Sequence, residues 1–129
     1  LLVRGKYNED IFSLMDAISA KNKSKAIKLF QDQIDSGANE IYLLTMMIRQ
    51  FRILWQIKEF TVETPAPAEV IAREMAIHPF VVKKTMPYLR GFTTTELRDI
   101  YKQLLQFEIQ MKTKTTNFEA LFDLLIAKL

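Results

Sequence analysis

The chain has 129 residues, 49% of them apolar and 26% charged, with no cysteine and a net charge of +3. That length supports one domain with a real core, burying roughly two-thirds of the surface its unfolded chain exposes. Disulfide and thiolate chemistry are excluded, which fits a reducing cytosol, and the mild charge is far from the dense Lys/Arg clustering of a dedicated nucleic-acid binder.

The opening Leu1, Leu2 and Val3 run straight into Arg4, Gly5 and Lys6, unlike a signal peptide. The chain lacks an initiator Met and reads as part of something longer, with residues 1–8 as the tail of a preceding linker. Helical spacing dominates from there. Asn8 is placed to cap a first helix whose apolar face is Ile11, Phe12, Met15 and Ile18. A second helix carries Ala26, Ile27, Phe30 and Ile34, and Gly37 sits where a left-handed cap belongs. Asn39 caps a long third helix with Ile41, Leu44, Met47 or Ile48, Phe51, Leu54 and Trp55, ending near Phe60. Thr64, Pro65, Ala66 and Pro67 break the pattern, and Pro67 suits the first turn of the next helix.

Residues 69–85 read as two short helices with a tight turn at His78, Pro79 and Phe80. Ala72 and Ala76, small and four apart, would let another helix approach, and Ile71, Met75, Ile77 and Val82 supply apolar contacts. Pro87 should kink or shorten the second helix, which Gly91 ends. Thr93 and Glu96 form a capping box for a helix carrying Leu97, Ile100, Leu104, Phe107 and Met111. A last helix, capped by Thr116 or Asn117, uses Phe118, Leu121, Phe122, Leu125 and Leu129. No period-2 alternation survives, so the fold class is all-α: one compact bundle of about six or seven helices over residues 1–129.

Chemistry is hard to find. A metal site needs several matching ligands, and this chain has one histidine. His78 precedes a proline at a helix start, where it caps or packs. Gly5, Gly37 and Gly91 stand alone beside helix ends, so no phosphate cradle forms. Lys21, Lys23, Lys25 and Lys28 read as a solvated helix start and face. No catalytic, cofactor-binding or metal-binding residue is assigned. A DNA reader would place polar or basic groups at the start of the second helix of the turn. Here Pro79 offers no donor and Phe80 only an apolar face, so Phe80 is expected to be buried against protein. Lys83 and Lys84 could give phosphate affinity without specificity. Arg49, Arg52 and Lys58 beside Phe51 and Trp55 are the kind of pairing interfaces favour, making Arg49 and Arg52 the candidate interface residues.

Four segments in order resemble one known family. They are residues 11–18 with the lysine-rich turn after them; Ile48-Arg49-Gln50-Phe51-Arg52-Ile53-Leu54; residues 71–84 with His78-Pro79-Phe80; and residues 97–112 with Phe118-Glu119-Ala120-Leu121. Their order and spacing, from about Asn8 to Leu129, resemble the C-terminal domain of the bacterial DNA polymerase III delta subunit, part of the clamp loader. Pro87 interrupts a helix that is usually continuous there, and the glycine often found before the last helix is missing after Lys112.

The resemblance implies a helical AAA+ collar domain that assembles the delta subunit into a five-membered ring with the other clamp-loader subunits. It implies no enzyme activity and no cofactor for this fragment, whose parent would belong to the DNA polymerase III holoenzyme, a DNA-directed DNA polymerase. It implies clamp contact through an absent N-terminal region, DNA contact only indirect or weak, no membrane, and a bacterial cytoplasmic setting in DNA replication. The rival reading from the residues is a helix-turn-helix DNA-binding module over residues 69–85.

Overall fold

The computed structural model describes residues 2–113 and 116–129, with side chains from residue 10 onward. Among the described residues there are seven α-helices and no strand. They are α1 (Leu2–Ser19), α2 (Lys23–Asp35), α3 (Glu40–Glu63), α4 (Ala68–Met75), α5 (Pro79–Thr85), α6 (Thr94–Lys112) and α7 (Phe118–Ala127), with a 3-10 turn at Met86–Gly91 between α5 and α6.

Side chains at the helix starts satisfy backbone donors that have no helical partner. Asn22, Asn39 and Asn117 accept from the N–H groups of Lys25, Tyr42 and Ala120. Thr93 and Glu96 form the reciprocal capping box. Two expectations at the N-terminus fail. α1 begins at Leu2, so Asn8 lies inside the helix and is not its cap, and Gly5 lies inside it too. The cap rule finds a suitable residue but cannot see a helix that continues upstream of it. α3 also runs past Phe60 to Glu63, because no breaker intervenes before Pro65.

α3 and α6 are the frame, and they run antiparallel. Thr94 sits beside Phe60 and Glu63, and Trp55 lies 5.7 Å from Tyr101 between ring centres. At the other end, the N–H of Phe118 donates to the Glu40 carboxylate at 2.9 Å. The main core joins α1, α2, α3, α6 and α7 around Leu14, Phe30, Phe51, Leu104 and Phe122. A smaller core of Ile53, Ile57, Ile71, Ala72 and Val82 lies where α4 and α5 meet α3. Leu89 on the 3-10 turn packs against both.

Pro87 acts as the sequence suggests. α5 stops at Thr85 and the chain tightens into the 3-10 turn. Tyr88 on that turn is buried and donates its hydroxyl to the Phe12 carbonyl at 3.1 Å, pinning the turn to α1. Burial, with the nearby Asp16 carboxylate, pushes its phenol above the usual range. Lys21, in a left-handed turn at φ 59°, reaches 2.9 Å to Glu96 and lies over the Phe92 ring. It thereby ties the end of α1 to the start of α6. Lys21 and the Thr93 N–H hold the Glu96 carboxyl below its usual range. Its contribution is therefore present at neutral pH and is lost as pH falls through that lowered value.

Candidate interaction site

The α4–α5 corner is a helix-turn-helix in outline. Ala76 takes the left-handed conformation at φ 54° and caps α4 through its own N–H. It is exposed, so it does not form the small-residue seam with Ala72 that its spacing suggests. A left-handed cap ends the helical phase on which that pairing depended. His78 then caps α5, its Nδ1 accepting the Phe80 N–H at 3.1 Å, and Pro79 occupies the first turn.

Phe80 is 53% exposed, against the expectation of burial. Once α5 starts at Pro79, its inward stripe is Val82 and Thr85. Phe80 lies outside that stripe and faces solvent. Phe80→Ala is accordingly expected to cost less than about 1 kcal/mol, as surface substitutions do. Urea unfolding of both proteins checks this, and a loss of several kcal/mol would put the ring back in the core.

The corner's lysines are engaged by protein. Lys83 pairs with Glu69 of α4 at 3.3 Å, and the Glu69 backbone N–H together with Lys83 holds that carboxyl below its usual range. Lys84 lies 5.8 Å from the Phe12 ring centre. The rest of the lysine run is divided. Lys23 donates to the Ala127 carbonyl and Lys28 pairs with Asp32, both exposed, whereas Lys21 is partly buried in its contacts to Glu96 and Phe92.

Besides Phe80, and Ile27 and Leu124 on α2 and α7, exposed apolar side chains stand on α3 and α6. Ile41 is 60% exposed, Ile109 56%, and Leu105 is at the margin of exposure. Ile41, Ile48 and Arg52 share a stripe of α3 by their spacing of seven and four. Leu105, four after Tyr101, and Ile109 continue along α6 on the side of Tyr101 that meets Trp55. By this spacing they flank the Trp55–Tyr101 side of the antiparallel α3–α6 pair as a discontinuous strip, with Ile48 itself buried. Arg98 and Lys102 border it on α6 by the same spacing.

Arg49 and Arg52 are both exposed, but on neighbouring stripes. Arg52 shares the strip, three residues before Trp55. Arg49 follows Tyr42 and precedes Gln56 by seven, one stripe away. Phe51 points inward and is fully buried, so it offers no outer surface to either arginine. Sequence reading missed Leu105 and Ile109. Their signal was present, since both fall off the Leu97, Ile100, Leu104, Phe107 face that α6 buries.

No described helix is long and apolar enough to cross a membrane. Among the described residues, no three of His, Cys, Asp or Glu gather into a metal-binding group. Among the described residues, the buried polar atoms Gln33 Oε1 and Thr85 Oγ1 lack partners.

Fold and surface thus describe an all-helical domain with an exposed apolar strip bordered by cations. A family model described as DNA polymerase III delta subunit, C-terminal domain, matches residues 8–129. The chain belongs to that family. It is 30% identical to the DNA polymerase III subunit delta of Bacillus subtilis (strain 168), over all 129 residues of this chain and 37% of that protein. Among solved structures, the Bacillus subtilis DNA clamp loader delta protein superposes with a TM-score of 0.83 at 29% identity, covering 92% of this chain and 35% of that one. The chain therefore spans little more than a third of these relatives.

Proposed function

We propose that this chain is a single, non-catalytic helical domain that builds a delta subunit into a clamp loader for DNA replication in the bacterial cytoplasm. In this reading its partners are the other subunits of a hetero-pentamer, within a DNA polymerase III holoenzyme. Sliding-clamp contact belongs to the part of the parent beyond this domain. The observation that carries the reading is the α3–α6 strip of Ile41, Leu105 and Ile109, bordered by Arg52. Exposed apolar area rimmed by charge marks protein interfaces. The relatives' names, delta subunit and clamp loader delta protein, support the choice of assembly.

DNA contact is weak and indirect in this reading. Lys83 already faces Glu69, and Lys84 faces Phe12. His78, Pro79 and Phe80 serve as a turn: His78 caps, Pro79 fixes the first turn, and neither offers the donor pair that base edges require.

The test is co-purification of the full-length parent with its cognate partners, comparing wild type, Arg49→Glu/Arg52→Glu and Leu105→Asp/Ile109→Asp. A specific interface buries around 800 Å² per partner, and loss of a central anchor typically costs about 2 kcal/mol or more, roughly thirtyfold in affinity. The α6 double variant is expected to weaken association by at least that factor with its helical circular dichroism intact. The arginine pair should weaken it less, and mainly through Arg52. Undiminished association of the α6 variant would remove the strip from the interface. A parent that joins no clamp-loader complex would remove the assembly reading itself.

A further inference from the structure

The C-terminal end of α3 is electrostatically unbalanced. A long helix concentrates partial negative charge on its last carbonyls, and bases normally gather there. α3 runs for 24 residues and has no base in its last turn. It has Glu59 and Glu63 instead, one turn apart on one face. Glu59 accepts the Trp55 indole N–H at 2.8 Å, which brings no positive charge. Neither carboxylate has an ion pair among the described residues. The chain as a whole is positive, so the deficit is local.

These carboxylates border an open groove of about 640 Å³. Its apolar lining comes from Phe60, Val62 and Met75, with Thr94 of α6 on the far side. Val62 is 65% exposed, and Phe60 and Met75 are half-buried at the edge of the smaller core. The groove begins one turn beyond the strip on α3, since Gln56, which lines it, follows Arg52 by four residues, but none of Ile41, Arg52, Leu105 and Ile109 lines it.

We propose that this groove docks a lysine- or arginine-bearing segment of a partner protein. An apolar side chain of that segment sits on Phe60, Val62 and Met75. Its cations lie against Glu59, Glu63 and the carbonyl end of α3, supplying the charge that the helix itself lacks. Nucleic acid and anionic lipid are repelled by the same carboxylates. A bare metal ion finds two carboxylates with the neutral Gln56 and Thr94 around an apolar floor. The inference does not rest on clamp-loader assembly, because no residue of the strip takes part.

The experiment follows backbone amides and methionine methyls of this chain by NMR during titration with a short amphipathic leucine–lysine peptide amide. A leucine–glutamate peptide of equal length is the control. Shifts are expected at Phe60, Val62, Glu63, Met75 and Thr94, with the leucine–lysine peptide only, and they should weaken as salt rises. Glu59→Gln/Glu63→Gln keeps an acceptor for Trp55 and should bind about five- to tenfold more weakly, as expected for two partly exposed ion pairs. Val62→Asp should also lose binding. The absence of peptide-induced shifts in the groove, equal binding of the glutamate peptide, or unchanged affinity of the Gln variant would each overturn the proposal. Shifts of these residues with protein concentration alone would overturn it too, assigning the groove to a second copy of the chain.

Discussion

Phe30→Ala is expected to destabilise the domain by about 3–5 kcal/mol, the usual cost of emptying a fully packed phenylalanine site. Phe30 is 1% exposed and is the point at which α2 meets α7. Its ring stacks on Phe122 at 4.1 Å between centres and meets Phe118 edge-on at 5.3 Å. Truncation removes both ring pairs. Typical domains hold only about 5–15 kcal/mol of net stability, so this is a large share. Urea denaturation with circular dichroism should show a lower midpoint at a similar slope. Phe30→Leu should recover much of the loss by refilling volume while forgoing the ring pairs. A loss of less than about 1 kcal/mol in the alanine variant would mean that α2 is not packed on α7 as described.

Gly91→Ala should cost about 3 kcal/mol or more, the upper end of overpacking penalties. A Cβ on Gly91 would overlap the carbonyl oxygen and carbon of Ser19 at the end of α1. Both atoms belong to the backbone, so no rotamer change relieves the clash. Relief requires the 3-10 turn to move off α1, which strains the Tyr88 to Phe12 hydrogen bond as well. Gly37→Ala is the informative comparison. Gly37 has open space around its missing Cβ but takes φ +92°, so its penalty is conformational, about 1–2 kcal/mol. Differential scanning calorimetry of both variants separates the effects. Gly91→Ala losing no more than Gly37→Ala would show that α1 and the turn are not in contact.

Much of the fold is legible along the chain because its punctuation is local. Asn39, Thr93, Glu96 and Asn117 form the caps they suggest, since capping depends on residues within one turn. Pro87 ends α5 for the equally local reason that proline has no N–H to donate and crowds the preceding turn. The apolar stripes of α6 and α7 predict most of their buried faces, Leu97 to Phe107 and Phe118 to Leu125. Asn8 misleads because a good cap residue inside a longer helix looks the same, in a short window, as one at its start.

The candidate surfaces are only partly legible. The family follows from four segments in order, and Arg49 and Arg52 are proposed together from the aromatic residues beside them on the same helix. Phe80 is misplaced because burial of a corner residue depends on which stripe the following helix turns inward, and Val82 and Thr85 take that position. Arg49 and Arg52 look equivalent in sequence but lie on different stripes. Arg52 falls on the α3 stripe that flanks the side where Trp55 meets Tyr101, and that placement depends on α3 and α6 running antiparallel. The acidic groove likewise joins α3 to Met75 and Thr94, residues distant along the chain. By itself, then, the sequence determines helices, caps, breaks and family, because these rest on contacts within a few residues. Which exposed side chains stand together as a surface is decided only by tertiary packing, because that depends on the phase and direction of helices brought side by side.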